Sequence, residues 1–258
     1  MPDAVFRVDL NESFPRLARP PIVEAVIHWQ ARAQKVVDAD QLRPLLAERL
    51  PSYPQIVPIQ QFDLLARLES ADADPIVEHH HSGKVGLRLT SADGRDIIQF
   101  TRDGLVFSRT HSYDHWEPFT ATAKTAWQVF EEIAAPIETQ RLGVRFINHI
   151  SGAVPEILHE YLCHPPTCPS GLPLKEFVYQ STFAVPGYPF DIRVIKLMQP
   201  SMPEVQQSSG LFLDIDVFST KAIPNDTAAV DESLATMRWL KNKVFFTLLT
   251  EGTIQSFQ

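Results

Sequence analysis

The chain predicts an α+β protein of two similar halves, each a curved antiparallel sheet with a helix pair packed on one face. Three observations lead there. Short β-branched and aromatic runs recur between Ile22 and Phe218, Asp-Gly pairs separate neighbouring runs at Asp93-Gly94 and Asp103-Gly104, and apolar stripes of helical period follow the runs. The 21 prolines gather at element ends while only 10 glycines are present, so proline acts as stiff punctuation between many short elements.

In chain order, residues 1–20 read as an extended arm ending in Ala18-Arg19-Pro20-Pro21. Ile22 to Trp29 is a strand buried on at least one face. Asp38 or Asp40 can cap a helix whose Leu42, Leu45, Leu46 and Leu50 make one stripe, with Pro44 tolerated only near its first turn. Pro54 and Pro58 keep the next stretch extended. Four strands follow, Phe62–Leu68, Lys84–Thr90, Asp96–Thr101 and Leu105–Arg109, and the two Asp-Gly turns make the last three a meander. A long helix after Glu117-Pro118 turns Phe119, Ala123, Ala126, Trp127, Phe130 and Ile133 to one side and stops at Pro136.

The order then restarts. Leu142–Asn148 alternates as a strand, Val154–Leu162 is a short helix, and Phe177–Val185, Phe190–Met198 and Leu211–Phe218 are strands. A final helix from about Thr227 to Leu249 buries Val230, Leu234, Met237, Val244, Phe245 and Leu248, with Asp231 and Glu232 near the positive end of its dipole. Residues 21–136 and 137–258 thus form two units, β-α-β-β-β-β-α and β-α-β-β-β-α. Each resembles one half of the TATA-box-binding-protein-like fold in element order alone, which implies no DNA binding.

The 258 residues are 44% hydrophobic and 21% charged, which suits a globular chain with a real core. A net charge of -8, spread over both halves, argues against work on nucleic-acid backbone. No apolar run is long enough for a membrane span, and the N-terminus lacks a basic segment followed by an apolar stretch, so neither an anchor nor a signal peptide is expected. Two cysteines are too few for a disulfide framework, and a reducing cytoplasm is the expected setting.

Leu211–Phe218 carries the sharpest candidate chemistry. Alternation sets Phe212, Asp214, Asp216 and Phe218 on one face, with the two carboxylates about 7 Å apart. That spacing suits a metal or acid–base work through a water. Cross-strand ion pairs are the commoner use, and Arg141 and Arg145 are the natural partners. His159, Cys163, His164 and Cys168 lie close in sequence, but paired metal-binding knuckles are absent. Neighbours in Glu78-His79-His80-His81 point to opposite sides of an extended chain, so no built metal site is expected there. His111–Glu117 is a connection whose Tyr113 and Trp116 are expected to pack down on the sheet. Nucleophile elbow, phosphate loop and dinucleotide fingerprint are all missing, and no cofactor is expected.

Several segments occur together in this order: Pro20–Val26, Asp103–Arg109 with Tyr113 and Trp116–Phe119, Leu142–Asn148, Leu213–Phe218 and Leu240–Phe246. The ensemble resembles a sporadically distributed bacterial and archaeal family of similar length, across nearly the whole chain. That resemblance implies a cytoplasmic prokaryotic protein and supplies no activity. It also makes Arg145, Asn148, Asp214, Asp216, Lys241 and Asn242 motif positions without roles. The first functional expectation is a non-catalytic binding or assembly protein that acts through a protein partner or self-association. The alternative is an enzyme or small-ligand binder using a polar sheet face around Arg145, Asn148, Asp214 and Asp216.

Overall fold

A computed structural model describes residues 7–35, 39–67, 76–110, 113–169, 171–199 and 210–258. Strand β1 (Ile22–Gln30) opens the fold and is followed by helix α1 (Ala39–Arg49), β2 (Gln55–Arg67), β3 (Ile76–Thr90), β4 (Asp96–Thr101), β5 (Gly104–Thr110) and α2 (Trp116–Ala134). The two-residue strand β6 (Glu138–Thr139) leads into β7 (Arg141–Ser151). A single 3-10 turn (Pro155–Ile157) and the short α3 (Leu158–Tyr161) stand where one helix is expected. Then come β8 (Phe177–Ala184), β9 (Phe190–Gln199), β10 (Gly210–Ser219), β11 (Ile223–Pro224), α4 (Thr227–Leu248) and α5 (Glu251–Gln255). No helix among the described residues is long and apolar enough to cross a membrane.

Nine strands form one antiparallel sheet in the order β2-β3-β4-β5-β1-β7-β10-β9-β8. Two separate sheets are expected from the sequence. They are one sheet because β1 pairs with β5 on one side and with β7 on the other, from Gln30↔Arg141 to Ile22↔Asn148. Strand β2 also begins seven residues earlier than expected, since Gln55–Ile59 pairs with Gly86–Thr90. Pro58 is compatible with this because β2 is an outermost strand, where a missing N–H costs no ladder bond on the free side.

All three long helices pack on the same face of the sheet, α2 over β1 and β5, α4 over β7 and β10, and α1 over β2 and β3. The core between them is aromatic. Trp29 of β1 stacks on Trp127 of α2 at 5.3 Å, Phe100 meets Phe130 at 4.9 Å and Phe107 meets Phe119 at 5.4 Å. In α1, Leu42, Leu46 and Leu50 are buried but Leu45 is 45% exposed, so its stripe is narrower than the spacing suggested. Pro44 lies inside α1, past its first turn. Asp226 caps α4 by accepting from the Ala229 N–H at 3.1 Å, while Asp38, the other predicted cap of α1, lies outside the described residues. Among the described residues no helix lies on the opposite face of the sheet.

Both Asp-Gly hairpins form, joining β3 to β4 and β4 to β5. Gly104 has φ of 140°, and a Cβ there would sit 1.9 Å from the Trp29 carbonyl oxygen. The neighbour is backbone of the central strand and has nowhere to go. Gly104→Ala is therefore expected to cost at least about 2 kcal/mol, read as a lowered midpoint in urea unfolding. A midpoint within error of the parent would refute this account of the hairpin.

Candidate functional site

The helix-free face of β7 and β10 holds the two carboxylates singled out from the sequence, Asp214 and Asp216. Asp214 accepts two hydrogen bonds from Arg145, at 2.9 Å from Nε and 2.6 Å from Nη2. Asp216 accepts from Arg141 Nη2 at 2.9 Å. Arg141 sits four residues from Arg145, the cross-strand neighbour of Asp216, and reaches back over Gly143. Any side chain there would meet the guanidinium, because a Cβ on Gly143 would lie 2.8 Å from Arg141 Nη1. The same guanidinium stacks 4.4 Å from the Phe218 ring centroid and bonds His28 Nδ1 at 3.2 Å.

Electrostatics follow from this crowding. Burial pushes the Asp216 carboxyl above its usual value, while Arg141, Arg145 and Arg193 pull it back. Burial, with Arg141 adding to it, pushes His28 down to about 4, so the ring is neutral at physiological pH and can accept from the arginine. The hollow left between Arg145, Arg193, Ile195 and the two carboxylates is about 120 Å³. That is room for a few waters, well below the roughly 300 Å³ at which ligand pockets begin. Both carboxylates are committed to arginines, so this face is a cross-strand brace.

Asn148 does not belong to that face. Its neighbours Phe146 and Ile150 point into the helix layer, and Asn148 does the same, 2% exposed, donating to the Leu213 carbonyl at 2.9 Å. The sequence grouping of Asn148 with Arg145 fails because residues three apart on a strand lie on opposite faces. A bulge in β1 between Ile22 and Glu24 then brings Ile22 opposite Asn148 on the helix side. With them comes the Pro20-Pro21 corner, tied down by the Pro21 carbonyl accepting from the His149 N–H at 2.8 Å.

Asn148 and Ile22 lie at the base of a cavity of about 1000 Å³, at the upper end of the range for ligand pockets. One wall is the N-terminal arm. Phe14 stacks on Phe246 of α4 at 5.4 Å, Glu12 pairs with Lys243 at 2.6 Å, and the Arg19 N–H donates to the Phe257 carbonyl at 2.9 Å. The second wall is the start of α2. Tyr113 and Trp116 pack down on Phe146 of the sheet as expected, at 5.1 and 6.5 Å between ring centroids. The third is one face of α4, carrying Arg238, Lys241 and Asn242. His111 and Ser112 lie outside the described residues.

Every carboxylate lining this cavity is paired, while Arg16 and Lys241 have no carboxylate partner among the described residues. Glu117 pairs with Arg238 at 2.9 Å, Asp114 with Arg95 at 3.5 Å, Glu12 with Lys243, and Arg16 donates to His115 Nε2 at 3.2 Å. Lys241 holds its Nζ 4.0 Å from the centroid of the Phe146 ring, and no carboxylate among the described residues pairs with it. Burial, with the Arg238 charge adding to it, pulls its amine down to about 7. Sequence reasoning marked Lys241 and Asn242 as motif positions and read Trp116 as a packing residue. It missed their convergence, because three segments far apart in the chain build the site.

Cys163 and Cys168 are free and exposed, and Cys163 Sγ donates to the Leu249 carbonyl at 3.2 Å. Among the described residues no three His, Cys, Asp or Glu side chains approach closely enough to hold a metal ion. Glu78–His81 lies in β3 with its side chains outside the described residues, and Asp72 and Asp74 are outside them too. No family model matches the chain, and no curated protein is significantly similar to it.

The brace holds two equally shielded carboxylates. Asp216 is 13% exposed and is paired with Arg141, while Asp214 is 12% exposed and takes two hydrogen bonds from Arg145. Removing either arginine leaves a shielded carboxylate without its partner, so Arg141→Ala and Arg145→Ala are each expected to cost about 2 kcal/mol, read by urea unfolding. An unfolding midpoint within error of the parent for either variant would mean that its pair does not brace the strands.

Proposed function

We propose that this is a non-catalytic binding protein whose recognition site is the cavity between the N-terminal arm, the start of α2 and α4. The observation that carries the reading is the convergence at that cavity of residues from the separate segments on which the family resemblance rests, Pro20–Ile22, Tyr113 with Trp116 and Glu117, Asn148, and Lys241–Asn242. Its volume fits a small organic molecule, its aromatic walls suit a flat body, and its lining mixes those rings with polar and charged side chains from all three walls, among them Glu12, Glu117, Arg238 and Lys241. Ala235 on α4 lines the opening with an exposed small side chain, which offers a clean test. Anilinonaphthalenesulfonate, a fluorescent probe of apolar cavities, is expected to bind at one saturable site. Ala235→Trp is expected to weaken that binding at least ten-fold without lowering the melting temperature. Unchanged binding by the variant would place the probe elsewhere and sink the reading.

Self-association is supported by a different observation. The outermost strand β8, Phe177-Val178-Tyr179-Gln180-Ser181-Thr182-Phe183-Ala184, has no charge, proline or glycine, and Val178, Tyr179 and Phe183 are 71%, 51% and 55% exposed. Edge strands ordinarily carry lysine, proline or a bulge that blocks further pairing, and β8 pairs with β9 without a break in register. A second copy added antiparallel about Ser181 would set Tyr179 opposite Phe183 twice, on one face. Light scattering is expected to show a dimer for the parent and a monomer for Val178→Lys. A parent that stays monomeric at high concentration would exclude this edge as the assembly surface.

A further inference from the structure

We propose that Lys241 captures an aldehyde or ketone ligand in the cavity as a reversible imine. This rests on the cavity being the recognition site and adds the chemical class of what it holds.

Every carboxylate lining the cavity is already paired, Glu12 with Lys243, Asp114 with Arg95 and Glu117 with Arg238. Lys241 stands one helical turn from Arg238 on the same face of α4, with an aromatic ring against its Nζ. The face of the Phe146 ring attracts an ammonium, but lost hydration and the neighbouring guanidinium disfavour one, and these last two are the ways in which lysine is turned into a nucleophile. The lowered amine follows from the same two causes. An ordinary lysine has about one molecule in 2,500 neutral at pH 7, whereas a group titrating near 7 is about half neutral.

The chemistry balances without a cofactor. The neutral Nζ attacks the carbonyl carbon, a C–N bond forms, and the carbonyl π electrons move to oxygen, which takes up a proton. The resulting carbinolamine loses its oxygen with both former amine hydrogens as one water, leaving C=N between ligand and lysine. Hydrolysis reverses every step, so the ligand is held and released unchanged, as a binding protein requires. The aromatic walls built by Trp116 and Tyr113 suit the apolar body of such a ligand, and Asn242 beside Lys241 can hydrogen-bond the carbinolamine oxygen.

The test uses benzaldehyde as the probe and cyanoborohydride to reduce the imine to a stable secondary amine, with adducts located by peptide mass mapping. Lys241 is expected to be labelled at least ten-fold faster at pH 7 than the exposed Lys175 and Lys221. Its labelling should level off above about pH 8, whereas that of an ordinary lysine keeps rising roughly ten-fold per pH unit to about pH 10. Ala235→Trp should block labelling at Lys241 and leave the surface lysines unchanged, and Lys241→Arg should lose the fast adduct while remaining folded. Labelling of Lys241 no faster than Lys175 and Lys221, in protein that binds anilinonaphthalenesulfonate, would overturn the imine and leave the cavity reading standing. Fast labelling unaffected by Ala235→Trp would instead show a reactive lysine outside any binding cavity.

Discussion

The antiparallel pairing of β1 with β7 is the constraint on which the rest of the structure depends. It joins the strands of the first half to those of the second and leaves one sheet with a single helix-covered face. Past the bulge, the inward residues of β1, Ala25, Ile27 and Trp29, stand opposite the inward residues Phe146, Val144 and Leu142 of β7, and all six are fully buried. A slip of one residue in that register would expose these and bury Arg145 and His28 without partners. Burying that much apolar surface is what selects the register.

The same pairing separates two kinds of polar chemistry. On the open face, Arg141 and Arg145 of β7 satisfy the carboxylates of β10, and the space between them is too small for a ligand. On the covered face, the β1 bulge turns the Pro-Pro corner and Ile22 toward Asn148, so that the arm runs over α4 and not across the open sheet. The cavity lies where the arm crosses above α4, held to it by Phe14 on Phe246 and by Glu12 with Lys243, while α4 itself packs on β7 and β10. Lys241 is left among rings and beside a cation, with its charge unmatched.

Much of this was legible in the residues. Both Asp-Gly hairpins, the inward stripe of α2 and the pairing of Asp214 and Asp216 with the two arginines follow from local rules of turn geometry, helical period and cross-strand proximity. Those rules involve neighbours in sequence or directly opposed strands. Asn148 shows where they stop. Its distance from Arg145 in sequence is only three residues, yet strand alternation sends it to the other face, where it shares a wall with α4 rather than with the arginine. The extended β2 was hidden for a related reason, since Pro58 reads as a strand breaker until the strand is known to lie at an edge.

By itself, then, the amino-acid sequence determined the class of the fold, the turns, the buried stripes of the main helices and the partners of the paired carboxylates, because each depends on short-range geometry that repeats along the chain. Only the tertiary structure decided that the two halves share one sheet, that Asn148 and Arg145 are on opposite sides of it, and that the arm, Trp116 and Lys241 enclose a common space. Those features depend on register between distant strands and on the desolvation of an amine by residues far away in sequence. Neither leaves a local pattern, because burial and neighbouring charge belong to positions in space.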